Sequence, residues 1–453
     1  MRPIAALAAC AAVLVSVPAA AQNTLTELEL NGPSDNRIDF LLMGDGYTAA
    51  EQDALLADAE SMADAVFAMS PFTPYRPFFN FYVIQSVSAE SGADNPSDGI
   101  DVDTAFGCRY DCMGIDRLIC CDDAAVMGVA DSLLPEHDAI VMMVNAEEYG
   151  GSGGYYAVVS MNVYAAQVVT HEFGHSLGWL GDEYEDPYPG FVFSDVYPNV
   201  SPTADRDALK WTEWVDEETP LPTEEVDGGP PLEPVGAFEG ACYQSTGLYR
   251  PVPECFMRRI DTGFCPVCAE ALVLSYYGFV EIIDASAPTG AAVSGATGET
   301  LEFSIDAVEA APSTVSYRWY LDETDIDNPE ASFSLPIECL TQGDHEIVAD
   351  VRDETEFAIN DPESLLLGSR AWTVTRTDDG AVVDDCFEEV PIDTDTETDT
   401  GGDTDTDADS DSDSDSDADG GTHHKGDDGC GCASAGGVPA DESLVRAVIT
   451  LFE

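Results

Sequence analysis

His171-Glu172-Phe173-Gly174-His175-Ser176-Leu177-Gly178-Trp179-Leu180-Gly181-Asp182-Glu183-Tyr184 is the densest run of chemistry in this sequence. Two histidines four apart on a helix project from one face, with Cβ atoms about 5–6 Å apart. That spacing suits two imidazole nitrogens on one Zn²⁺. Glu172, directly after the first histidine, can reach a water at that metal and act as a general base. The same five-residue pattern also arises by chance in ordinary helices. Three features raise it above chance here. Val163 to Thr170 can extend the helix upstream, Gly178 ends it three residues after His175, and Asp182-Glu183 offers carboxylates just beyond the turn.

A third ligand is expected from those carboxylates. The chain has 6 His in all. His423 and His424 fall in an acidic tail, His345 in a strand-like segment, and His137 ahead of an apolar strand. Asp182 is therefore the expected third ligand and Glu183 the alternative. Three protein ligands leave a fourth zinc position for water, as hydrolysis requires.

Working outward, Arg37 to Met43, Phe78 to Val87 and Asp138 to Val144 read as strands, the last apolar enough to be central. Thr48 with Glu51 forms a capping box for an Ala-rich helix reaching about Met69. Gly150 to Gly154 is a turn leading into Tyr155 to Ser160, a candidate edge strand on which an extended peptide could lie. Val163 to Leu177 and Cys265 to Val280 read as helices, and Tyr184 to Pro234 as a long surface loop region. The expected fold class is thus an α/β unit over residues 22–283. An all-β immunoglobulin-like sandwich follows over 284–389, with Trp319 as core anchor and Cys339–Cys386 as its bridge. Residues 390–429 are an acidic spacer of alternating Asp with Thr, Ser and Ala, too poor in apolar residues to fold. Structural calcium is the alternative for that repeat, which lacks the glycine turn of a calcium loop. Residues 430–453 form a tail whose Gly429-Cys430-Gly431-Cys432 resembles the start of bacterial surface-sorting tails, without their long apolar helix and Arg cluster.

Residues 1–21 read as a secretory leader: Arg2, an apolar run from Ile4 to Val17, then Ala19-Ala20-Ala21. Export directs the remaining cysteines toward structural disulfides, including the group Cys242, Cys255, Cys265 and Cys268; a zinc knuckle at Cys265-Pro266-Val267-Cys268 is the lesser reading. A formal net charge of −72 excludes nucleic acid and anionic membrane surfaces as partners, since phosphate binding needs clustered Lys and Arg. Outside the leader no apolar run is long enough to span a membrane, and a monomer acting on protein or peptide is expected.

Several motifs resemble the bacterial IgA-type metallopeptidases, which are metzincin-like zinc endopeptidases. They are Gly44 to Thr48, Ser91 to Asp94, Thr104 to Gly107, Tyr149 to Gly154, His171 to Tyr184, Cys255 to Arg258 and Phe264 to Cys268. The resemblance implies a zincin-like catalytic domain, zinc on His171, His175 and a downstream acid, Glu172 as base, and Met257 in a turn beneath the metal. Many metzincins carry the third histidine where this chain has Gly181, which is why a neighbouring acid is the expected ligand.

Overall fold

The structure is a computed structural model and describes residues 23–187, 191–226, 228–383 and 386. The expected leader, the acidic spacer and the C-terminal tail lie outside the described residues. The regular structure of the described residues is mostly β-strand, with four α-helices.

In chain order the first elements are β1 (Thr24–Glu29), β2 (Ile38–Asp45), α1 (Gln52–Val66), β3 (Phe79–Gln85), α2 (Asp123–Leu133), β4 (Ala139–Val144), β5 (Gly151–Ser152), β6 (Ala157–Ser160) and α3 (Ala165–Ser176). The strands form one sheet in the order β1-β3-β2-β4-β6-β5. β3, β2, β4 and β6 run parallel, flanked by antiparallel β1 and β5. All of β2 and β4 is buried, which fits strands covered on both faces. Side chains alternate between two cores. Phe40, Leu42, Val141 and Met143 face α1 and α3, whereas Leu41, Ile140, Met142 and Val144 face α2 and the disulfide-bonded segment around Cys108.

The expected edge strand is not the edge. β5 pairs with β6, Gly151 opposite Val159 and Ser152 opposite Val158, so the glycine turn itself becomes the outer strand. The capping box is half formed. Glu51 reaches back to Thr48 N at 2.9 Å, but Thr48 Oγ1 donates to the same carboxylate instead of capping the helix.

The glycine motifs join in one structural network at the end of β2. Asp45, fully buried, accepts from Phe106 N and Cys108 N, both at 2.9 Å, and from Thr104 Oγ1 at 2.8 Å. Gly46 has φ 77° and its missing side chain admits the Gly92 carbonyl. The segment so anchored is closed by Cys108–Cys121 and Cys112–Cys120.

After α3 come the hairpin β7 (Phe238–Ala241) and β8 (Gln244–Arg250), and α4 (Pro266–Phe279). The expected surface loop before the hairpin is partly core. Trp211 is buried and donates its indole N–H to the Gly236 carbonyl at 2.7 Å.

The remaining strands are β9 (Ile283–Ala287), β10 (Ala292–Gly295), β11 (Thr300–Ala307), β12 (Val315–Leu321), β13 (Thr324–Asp325), β14 (Ser332–Pro336), β15 (Gly343–Asp353) and β16 (Leu367–Arg376). They form two sheets, β10-β16-β15-β12-β13 and β14-β11-β9. Trp319 and Trp372 stack between them at 6.0 Å, and Cys339–Cys386 is bridged as expected. This all-β unit shares a continuous apolar core with the first one. Tyr75 and Tyr277 both donate to Asp353 at 2.7 Å, and Arg37 grips Asp284 with two bonds of 3.1 and 2.8 Å. No helix of the described residues is long and apolar enough to cross a membrane.

Candidate metal centre

His171 and His175 lie on the last turns of α3, with Glu172 between them and only 6% exposed. The glycine inside this run has a packing reason. A methyl group at Gly174 would collide with Met257 Sδ, so Met257 sits directly against the helix that carries both histidines. Gly178 also serves by its size. The left-handed residue of the turn after α3 is Trp179, at φ 53°, while a Cβ on Gly178 would come within 2.9 Å of the Gly174 carbonyl and 3.0 Å of Leu272. Close packing thus requires glycine at 178, while the left-handed residue that turns the chain out of the helix is Trp179.

Beyond the turn the chain runs back past the helix. Asp182 Oδ1 lies 3.1 Å from His171 Nε2 and 3.3 Å from His175 Nε2. His175 Nδ1 makes a 2.7 Å bond to the Leu180 carbonyl. A carbonyl only accepts, so this nitrogen carries the proton and Nε2 turns its lone pair toward Asp182. Burial would raise the Asp182 carboxyl. Cationic imidazoles at His175 and His171 would outweigh burial and hold it well below the usual carboxylate range. Lone pairs of nitrogen and carboxylate oxygen converging at this distance call for a cation, and this N, N, O set fits a divalent metal such as zinc. His175 keeps 22% of its side chain exposed, so the cluster opens to solvent on that side.

Two tyrosines escaped the sequence reading. Tyr243 donates its hydroxyl to Asp182 Oδ2, which leaves Oδ1 for the histidines. Tyr184 lies beside His171, with ring centroids 6.0 Å apart and its hydroxyl 3.5 Å from Nε2. Tyr243 gets there because Cys242 and Tyr243 form the two-residue tip of the β7–β8 hairpin at φ 46° and 60°. Such tips favour Asn-Gly, and neither residue advertises one. The tip docks on the metal segment through Cys242 N to the Asp182 carbonyl (2.9 Å) and Tyr243 N to the Tyr184 carbonyl (2.7 Å).

Glu183 points the other way. Its Oε1 accepts from Asn199 Nδ2 at 2.9 Å and faces Cys268 Sγ at 3.5 Å, within a buried group completed by Cys255 and Cys265. Asn199 also exchanges two hydrogen bonds with Gly181, of 2.7 and 2.8 Å, and so fixes the direction of the segment. Gly181 leaves no room for a side chain, since a Cβ there would approach the Tyr197 ring within 2.9 Å and Cys242 Sγ within 3.1 Å. The disulfides expected in this second cysteine group are not formed: Cys242, Cys255, Cys265 and Cys268 are buried free thiols. A cavity of about 800 Å³ lies elsewhere, lined by residues including Trp214, Pro230, Phe264 and Phe357, and none of the metal-site residues borders it.

Compared with known proteins, the sequence matches the profile of the family described as IgA Peptidase M64 over residues 26–228 and 230–275. The chain belongs to the IgA Peptidase M64 family. Members are metal-dependent peptidases, and the two groups of metal-capable side chains just described lie within the matched residues of this M64 chain. No curated protein matches it. Among solved structures it is similar to fibronectin(III)-like modules of Clostridium thermocellum CbhA, with 13% identity, 20% of this chain, 44% of that one and a TM-score of 0.15. It is also similar to the Bacteroides ovatus glucan-utilization protein SGBP-B in complex with a mixed-linkage heptasaccharide, with 11% identity, 19% of this chain, 20% of that one and a TM-score of 0.14. The chain spans less than half the length of either, and likenesses this weak inform neither fold nor function.

Proposed function

We propose that this M64 chain is a secreted, monomeric zinc endopeptidase that hydrolyses peptide bonds in proteins. Its catalytic unit is a zincin-like domain over residues 22–283, followed by an immunoglobulin-like sandwich over 284–389. The convergence of His171 Nε2, His175 Nε2 and Asp182 Oδ1 carries the reading. The leader-like start and the three disulfides among the described residues support export, because disulfides persist in oxidising compartments.

His171, His175 and Asp182 would hold the zinc, with Tyr243 orienting the carboxylate and the Leu180 carbonyl fixing the His175 tautomer. Zinc bound there supplies Lewis acidity that polarises the scissile carbonyl and eases deprotonation of water. Glu172, one residue from His171 and not needed as a ligand, takes a proton from the attacking water. It then delivers that proton to the amine nitrogen as the C–N bond breaks. Glu172→Gln keeps the side chain's shape and removes its basicity. Cleavage of a peptide library by this variant should fall by about 10²–10⁴-fold or more while zinc content holds. Undiminished cleavage would overturn the assignment, as would a zinc-loaded native chain that cuts no peptide.

A further inference from the structure

Directly behind Asp182 lies a second donor set that the peptidase chemistry does not use. Glu183, Cys255, Cys265 and Cys268 each offer one atom, all within 4.8 Å of one another, and all four side chains are buried. We propose that these four residues bind a second, structural zinc ion that holds the Asp182 segment and the Met257 turn in place.

The spacing is that of a tetrahedral site. Zn–S bonds of about 2.3 Å put tetrahedral sulfurs about 3.8 Å apart. Cys255 Sγ and Cys268 Sγ are 3.5 Å apart, and so are Cys268 Sγ and Glu183 Oε1. A disulfide would need about 2.05 Å. Three thiols cannot all be satisfied by one disulfide, whereas a single ion takes all three.

The polar accounting points the same way. Glu183 is fully buried, and its Oε2 has no hydrogen-bond partner. A carboxylate oxygen left without a partner in the interior is costly. Backbone amides already serve the sulfurs: Cys265 N donates to Cys255 Sγ at 3.3 Å, and Cys268 N to Cys265 Sγ at 3.5 Å. Cys265 caps α4 by accepting from Cys268 N, with Pro266 in the first turn, so the positive end of the helix dipole faces the cluster. Three soft thiolates and one carboxylate, with no position left for solvent, select zinc in a closed site. Binding displaces the proton of each Cys S–H to solvent as each Zn–S bond forms.

The site's placement gives its role. Glu183 follows Asp182, Cys255 lies two residues before Met257, and Glu183 N donates to the Met257 carbonyl at 3.0 Å. One ion would tie the metal-ligand segment, the turn beneath α3 and the start of α4 to one another.

The test is zinc content and the zinc X-ray absorption spectrum of the full chain, native and His175→Ala. Native protein should hold two zinc ions per chain, with both sulfur and nitrogen neighbours. His175→Ala should keep one ion, in a sulfur-dominated shell at about 2.3 Å. Absence of sulfur around zinc in the native chain overturns the proposal, as does a Cys255–Cys268 disulfide found by alkylation and peptide mapping. Those two readouts need no variant and stand even if His175→Ala does not fold. The peptidase reading fails separately, if native zinc is bound by sulfur alone and His175→Ala loses none.

Discussion

Asp182 and Glu183 are neighbours of like charge, yet each closes a different donor set. Asp182 faces two imidazoles in a cluster that opens to solvent through the partly exposed His175. Glu183 faces three thiols in a cluster with every member buried. Exposure separates their uses. A site with an approach from solvent can admit water and substrate, and a closed one can only hold chain segments together. The contrast also accounts for Glu172, which accompanies the open set and has no counterpart in the closed one.

The largest expected effects come from exchanging the two acids one at a time. Asp182→Ala should abolish turnover and weaken zinc at the histidine site by more than about 100-fold, beyond the range of outer-shell changes. Its effect on the unfolding temperature should be small. Glu183→Ala should do the reverse in stability, lowering the unfolding temperature by about 10 °C if about 4 kcal/mol is lost. Zinc titration and calorimetry of both variants decide it, and a shared pattern would break the comparison.

Tyr243→Phe sharpens the contrast from the open side. It removes the hydroxyl that holds Asp182 Oδ2 and leaves the ring that packs near Tyr184 and Phe191. Zinc affinity or activity should fall by about 10–100-fold with little change in stability. A competition titration against a chromophoric chelator measures the first and thermal unfolding the second.

The smallest effect concerns a buried carboxyl outside both clusters. Asp138 accepts one backbone hydrogen bond from Asp39 N at 2.8 Å, and burial pushes its carboxyl up to about 6. The folded chain therefore holds a proton that the unfolded chain has released between about pH 4 and pH 6, and stability falls as pH rises through that window. Asp138→Asn should stabilise the protein by about 1–3 kcal/mol at about pH 7, and by close to nothing below about pH 4. Denaturant unfolding at the two pH values checks the sign. A loss of stability at neutral pH would show that Asp138 is held ionised by a partner, as Asp182 is.

A second contrast runs between the cysteine groups. Cys108, Cys112, Cys120 and Cys121 close two bridges in the segment anchored by Asp45, whereas Cys242, Cys255, Cys265 and Cys268 stay reduced in the core. Close sequence spacing brings the first group together locally. In the second group Cys265 and Cys268 are placed by the first turn of α4, and Cys255 meets them only where the preceding turn folds over. Spacing alone could not tell a bridge from a thiol cluster, and the expectation of disulfides there gave the wrong state.

The apolar runs of β2, β3 and β4 and the helical spacing in α3 and α4 could be read from sequence, because each depends on residues within a few positions of one another. The same local rule put His171 and His175 on one face. α2 went unread because it is short, with only Val126 and Ala130 buried and Gly128 between them. The β7–β8 hairpin went unread because its tip lacks a glycine signal.

By itself, then, the sequence determined a helix bearing two histidines and a base, with acids following close behind. Tertiary structure decided which acid faces which donor set, and it brought up the partners that make them differ. Tyr243 reaches Asp182 from 61 residues away, and Cys268 reaches Glu183 from 85. Adjacent side chains on an extended segment point to opposite sides. Only the packing of distant chain on each side, with Asn199 fixing the direction, gives those sides different chemistry.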